Sequence, residues 1–110
     1  METKTPTTAT LERILAIPGV TGVTLTDPMG DVLHSSAGDE GMDELIAFFS
    51  GMLPSIGDAA GVGYIHQAIL KSPQDDNLLL LAEKEQTLGV TIKPRVPIAG
   101  ISEQIMTVLQ

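Results

Sequence analysis

The sequence lacks cysteine, and aromatic side chains make up only 3% of its 110 residues. The missing cysteine excludes a disulfide framework, a thiolate nucleophile and a zinc–thiolate site. Because aromatics are scarce, we expect an aliphatic core, and a hydrophobic content of 43% is enough to build one in a single domain.

Basic residues are also few, at 6 against 14 acidic residues, which gives a net charge of −8. Phosphate groups would be repelled by such a surface, so we expect neither nucleic acid nor an anionic membrane as a partner. An alternative is that the charge only keeps the protein soluble. The longest aliphatic run, residues 78–82, is too short to cross a membrane, and the first ten residues lack the apolar segment of a signal peptide. We therefore expect a cytoplasmic protein without membrane insertion.

The hydrophobic pattern predicts the order helix, two strands, helix, three strands, helix. The predicted helices cover residues 11–17, 42–56 and 98–109. The predicted strands cover residues 20–26, 31–35, 62–71, 78–85 and 87–93. Short connections between neighbouring strands favour an antiparallel sheet, and the fold class is α+β. Residues 1–8 are predicted to form a disordered tail and residues 9–110 a single domain.

The central helix has an apolar stripe that is wider than one sheet face requires. Its members recur at helical spacing: Leu45, Phe48, Phe49, Met52, Leu53 and Ile56. Pro54 interrupts this helix and removes a backbone hydrogen bond to Ser50, so we expect a kink or a restart there. Met42 and Ile46 widen this stripe, and its width predicts that a second surface covers part of it. The alternative is a monomer whose helix is deeply buried.

The stretch Asp27-Pro28-Met29-Gly30 has the Asp-x-x-Gly spacing with which GTP-binding switch proteins sense a phosphate. Such proteins also need a Gly-x-x-x-x-Gly-Lys loop, which the sequence lacks. The pair Gly61 and Gly63 leads into a predicted strand, so it lacks the helix N-terminus that binds phosphate. Asp, Pro and Gly at the first, second and fourth positions suit a hairpin turn, which is our interpretation.

Catalytic chemistry has little support in the sequence. His34 and His66 are the only histidines, and each falls in a predicted strand without a nearby carboxylate pattern to orient it. The spacing of Asp27 and Asp31 does not match a calcium-binding loop. The acidic group at residues 39–44 suits the start of a helix. We expect no enzyme, no metal site and no cofactor.

The segment LERILAIPGVTGVTLTDPMGDVLHSS, residues 11–36, resembles the opening of the roadblock/LC7 family, the dynein light chain roadblock type. Its members begin with a short helix, a Pro-Gly-Val break, a strand, an Asp-x-x-Gly turn and a second strand. The resemblance covers residues 9–110. It implies a profilin-like α+β fold: a central five-stranded antiparallel sheet with the long helix on one face and the two terminal helices on the other.

The resemblance also implies how the protein acts. Roadblock proteins form homodimers or heterodimers in which third strands pair and long helices lie side by side. Several bind a small Ras-like GTPase as dimers, and some stimulate GTP hydrolysis without inserting an arginine. The first hypothesis is therefore a non-catalytic dimeric regulator or binding partner of such a GTPase. The alternative is a light-chain-type scaffold subunit of a motor or signalling complex that leaves hydrolysis unchanged.

The predicted dimer or partner interface lies on the long helix and the third strand. We assign to it Phe48, Met52, Val62, Tyr64 and His66. The third strand carries few charges along its edge, and an unprotected edge favours pairing with another strand. A pocket for a small molecule, as in some related sensor folds, is a weaker possibility that nothing in the sequence marks.

Overall fold

The computed structural model describes residues 8–27, 29, 31–36, 40–63, 65–71, 75–82 and 86–109. Its three helices are α1 (Thr8–Leu15), α2 (Glu40–Ala60) and α3 (Ile98–Leu109). Its five strands are β1 (Val20–Thr26), β2 (Val32–Ser35), β3 (Gln67–Leu70), β4 (Asn77–Ala82) and β5 (Thr87–Ile92). Of the predicted tail, residues 1–7 lie outside the described residues and Thr8 begins α1.

The five strands form one antiparallel sheet, as predicted, and the structure gives their order as β2-β1-β5-β4-β3. The hairpin between β1 and β2 confirms the turn interpretation. Asp27 Oδ1 accepts hydrogen bonds from the backbone N–H of Met29 and of Asp31, both at 2.9 Å. Pro28 and Gly30 lie outside the described residues. The Asp27 side chain is therefore used within its own turn.

One face of the sheet carries α1 and α3 over the larger core. Because alternate residues of a strand point to the same face, every second residue of β1 and β5 enters this layer. Its buried members are Leu11, Ile14, Ile17, Val23, Leu25, Leu79, Leu88, Val90, Ile92, Ile101 and Ile105. The other face carries α2 over a smaller cluster of Ile46, Leu78 and Leu80. The predicted arrangement of the three helices is thus confirmed.

The floor beneath α2 is built from small and hydroxyl-bearing residues. A Cβ at Gly89 would lie 2.7 Å from the side chain of Ile46, so only glycine lets α2 sit this close to β5. Ser50 is buried and donates a hydrogen bond to Thr87 Oγ1 at 2.8 Å, and it accepts one from Thr26 Oγ1 at 3.1 Å. These two bonds fix α2 over β1 and β5.

The helix α2 continues through Pro54, so the expected restart does not occur. Pro54 is on the exposed side of the helix, where its ring does not displace the core. Ser50, the residue whose carbonyl loses its partner, is held from the other side by its hydroxyl contacts. Packing of the helix against the sheet therefore outweighs the local cost of the proline.

The strand β3 is shorter than the predicted 62–71, because a turn occupies its predicted start. Gly61 and Gly63 both have positive φ, at 71° and 77°. The N–H groups of Val62 and Gly63 donate to the Gly57 carbonyl at 3.1 and 3.2 Å, which closes the C-terminal end of α2. The chain therefore turns before it enters the sheet, and the regular strand begins at Gln67.

Candidate interaction surface

The helix α2 presents an apolar stripe to solvent. The stripe, which we call the α2 stripe, consists of Leu45, Phe48, Met52 and Ile56, with exposed fractions of 40%, 62%, 36% and 38%. Their spacing of three and four residues places them in one row along the helix. Large apolar side chains that are exposed in a contiguous row mark a surface for another macromolecule.

The contacts of α2 show which way the stripe faces. Ser50 lies on the side of the helix that bonds to β1 and β5. Phe49 packs instead against the cluster of Ile46, Leu78 and Leu80. Ala68 and Leu70 of β3 pack against the same cluster. Since Phe49 lies between the buried side of the helix and the α2 stripe, the stripe is on the β3 side of α2. Phe48 is held in place by an edge-to-face contact with Phe49, with ring centroids 5.8 Å apart.

The strand β3 forms the adjacent edge of the sheet. Among the described residues it pairs with β4 alone, so its second edge is open to another strand. Its inner side chains, Ala68 and Leu70, face the α2 layer, whereas Ile69 faces the opposite side and is 44% exposed. An open edge and an exposed apolar stripe thus meet at one end of the molecule.

The structure brings part of the predicted interface together. Phe48 and Met52 are neighbours in the α2 stripe, whereas Val62, 66% exposed, and His66, also exposed, lie in the segment between α2 and β3. Tyr64 lies outside the described residues. The role of these five residues in an interface stays a prediction.

Leu45 and Ile56 belong to the α2 stripe, and the sequence places them in the apolar row of the helix but not in the predicted interface. The sequence signal was the excess width of the apolar pattern. The apolar pattern could not show which of these residues face the sheet, because their orientation depends on the residues beneath the helix. Ile46, one of the two residues that widen the predicted stripe, is only 1% exposed and packs over Gly89.

Two further features of the described residues bear on function. Within the described ranges, no group of three or more His, Asp or Glu side chains is placed to hold a metal ion. None of the described helices is long and apolar enough to span a bilayer.

No protein-family model and no curated protein matches the sequence. Solved structures do match. The chain is similar to a roadblock/LC7 domain from Streptomyces avermitilis, with 17% identity, a TM-score of 0.71 and coverage of 89% of this chain and 86% of that one. It is similar to MglB of Myxococcus xanthus, with 15% identity, a TM-score of 0.77 and coverage of 92% and 86%.

This chain has the roadblock/LC7 fold. A third similar structure, described as MglB with tetrameric arrangement, is 14% identical, has a TM-score of 0.74 and covers 93% of this chain and 81% of that one. The resemblance that the opening segment suggested is therefore confirmed in the three-dimensional structure. At these identities the likeness establishes the roadblock/LC7 architecture.

Proposed function

We propose that this protein is a dimeric, non-catalytic regulator or binding partner of a small Ras-like GTPase. The observation that carries the proposal is the α2 stripe beside the open edge of β3. In the proposed dimer, two copies of β3 pair across a twofold axis and the two α2 helices lie side by side, so each stripe is covered by its twin. The proposed location is the cytoplasm, as the sequence predicts.

Two arguments support association between copies. The exposed stripe is on the same side of α2 as the β3 edge, so one symmetric contact can cover both. The same fold occurs with a tetrameric arrangement in MglB, a protein of low sequence identity. The GTPase part of the proposal rests on the family resemblance, because several roadblock proteins bind such a GTPase as dimers.

The dimer is tested by sedimentation of three forms at micromolar concentration. The wild type is expected to sediment as a dimer and Phe48→Asp as a monomer, because the substitution places a carboxylate in an apolar contact. The matched control is Met106→Asp, which changes an exposed methionine of α3 on the opposite side of the sheet. It is expected to remain dimeric. A monomeric wild type would contradict the dimer proposal.

The partner is tested by affinity capture from the cell's own lysate, once with GDP and once with a non-hydrolysable GTP analogue. We expect wild type and Met106→Asp to retain a Ras-like GTPase in one nucleotide state, and Phe48→Asp to lose it. Recovery of other proteins regardless of nucleotide, with no GTPase among them, would replace the regulator with the scaffold alternative. Recovery of the dimer alone would contradict both.

A further inference from the structure

A groove of about 660 Å³ lies on the α1/α3 side of the molecule, between the end of β3 and the segment that leads into α3. Ile69 and Lys71 line one wall, and residues 94–99 line the other. Because Ile69 faces away from the α2 layer, the groove is on the opposite side of the sheet from the α2 stripe. In the proposed dimer the partner's β3 would border the wall formed by Ile69 and Lys71, whereas the wall formed by residues 94–99 lies away from the paired strands.

Two of the six basic residues of this acidic protein, Lys71 and Arg95, line the groove. None of the described residues that line the groove is acidic, and the first turn of α3 carries no carboxylate. Neither cation has a hydrogen-bond or ion-pair partner within the described part of the chain. Lys71 and Arg95 thus bring two positive charges to the groove of a protein whose net charge is −8, whereas Asp75 and Asp76 precede the lining residue Asn77 without lining the groove themselves.

The segment that bears Arg95 is held in a fixed shape. Arg95 has φ of +77°, a left-handed conformation that is uncommon for a long side chain. The N–H of Lys93 donates to the Gly19 carbonyl at 2.8 Å, and Val96 packs onto Gly19, where even a Cβ would come within 2.8 Å. Pro94 and Pro97 restrict the backbone on both sides of Arg95. Backbone strain that is maintained by surrounding contacts, as at Arg95, is typical of functional sites.

We propose that this groove binds a short peptide segment of a partner protein in which carboxylates flank an apolar side chain. The carboxylates would pair with Lys71 and Arg95, and the apolar side chain would pack on Ile69, Pro97 and Ile98. The groove is open to solvent along one side, whereas small-molecule sites enclose most of their ligand, so an extended peptide fits it better. A fixed wall lowers the entropic cost of binding.

The test is titration of the isotope-labelled wild-type protein with two capped peptides, ELEL and its neutral counterpart QLQL, followed by backbone amide NMR. We expect ELEL to give saturable shifts at residues 69–71 and 93–99, with affinity falling as salt is raised to about 0.5 M. QLQL is expected to bind about tenfold more weakly or not at all. Equal binding of both peptides, or shifts elsewhere on the surface, would overturn the proposal.

Variants separate binding from folding. Arg95→Gly removes the charge and relieves the left-handed conformation, so it is expected to be at least as stable as the wild type while losing about tenfold in affinity for ELEL. Lys71→Gln tests the other wall. Arg13→Gln makes the same charge change in the last turn of α1, outside the groove, and is expected to bind normally.

Two other results would overturn the proposal. One is a loss of ELEL affinity in Arg13→Gln that equals the loss in Arg95→Gly, because the effect would then come from net charge. The other is a wild-type spectrum that changes at residues 93–99 with protein concentration alone, because the occupant would then be a second copy. The proposal does not depend on the GTPase or on the α2 dimer, which the sedimentation of Phe48→Asp tests separately.

Discussion

Alanine at Gly57 is predicted to destabilise the protein, although alanine normally favours a helix. A Cβ at Gly57 would lie 1.9 Å from the backbone oxygen of Gly63, so the 61–63 segment would have to move. That movement breaks the bonds from Val62 and Gly63 to the Gly57 carbonyl, worth about 2 kcal/mol together. Overpacking lowers the free energy of unfolding by about 1–2 kcal/mol more, whereas the higher helix propensity of alanine raises it by about 1 kcal/mol. The expected net loss is about 2–3 kcal/mol.

Gly51, in the same helix, supplies the matched control. A Cβ at Gly51 would have no neighbour within 4 Å, so Gly51→Ala is expected to stabilise by about 0.5–1 kcal/mol. The assay is urea unfolding of both variants at one fixed protomer concentration, since association changes apparent stability. With a slope of about 1.5 kcal/mol per molar, the midpoint should fall by about 1.7 M for Gly57→Ala. A Gly57→Ala variant as stable as Gly51→Ala would refute the packing of the 61–63 segment against the helix.

Two further predictions concern the floor beneath α2. Gly89→Ala is expected to lower the free energy of unfolding by about 1–3 kcal/mol, because the new Cβ meets Ile46. This loss should be smaller in an Ile46→Val background. Strictly additive effects in a double-mutant cycle would contradict the contact. Ser50→Ala is expected to lower the free energy of unfolding by about 1–2 kcal/mol, because it removes the hydroxyl that joins Thr26 to Thr87. The control is Ser55→Ala on the exposed side of α2, which should change this free energy by less than about 0.5 kcal/mol. Equal effects of the two serine substitutions in thermal unfolding would count against the buried bridge.

The fold could be predicted from the sequence where periodicity and turn residues agree. β1 has the predicted position because its clear period is bounded by Gly19 and Asp27, and α3 begins as predicted directly after Pro97. β4 is an interior strand covered on both faces, which its run of leucines indicates: Leu79 enters one core, and Leu78 and Leu80 enter the other.

Features that depend on tertiary contacts could not be predicted in the same way. The sequence predicts a kink or a restart at Pro54, because helix propensity does not take account of the hydroxyl contacts that hold Ser50 on the sheet. The start of β3 depends on how the 61–63 segment closes the end of α2. The close approach of Ile46 to Gly89 joins positions that are far apart in sequence, so no local pattern predicts which residues of α2 face the sheet and which remain exposed. The groove beside Arg95 joins β3 to the α3 segment, and no local pattern indicates it.

The unequal cores give the two faces of the sheet different local stabilities. α1 and α3 share a continuous aliphatic layer, whereas α2 packs through a small cluster of its own Ile46 with Leu78 and Leu80, a glycine and a few hydroxyl groups. Local opening is least costly where little apolar area is buried, so the amide hydrogens of α2 should exchange with solvent before those of β5. The helix that bears the exposed stripe is then also the one that separates most readily from the sheet. Whatever covers the stripe will slow that exchange along α2.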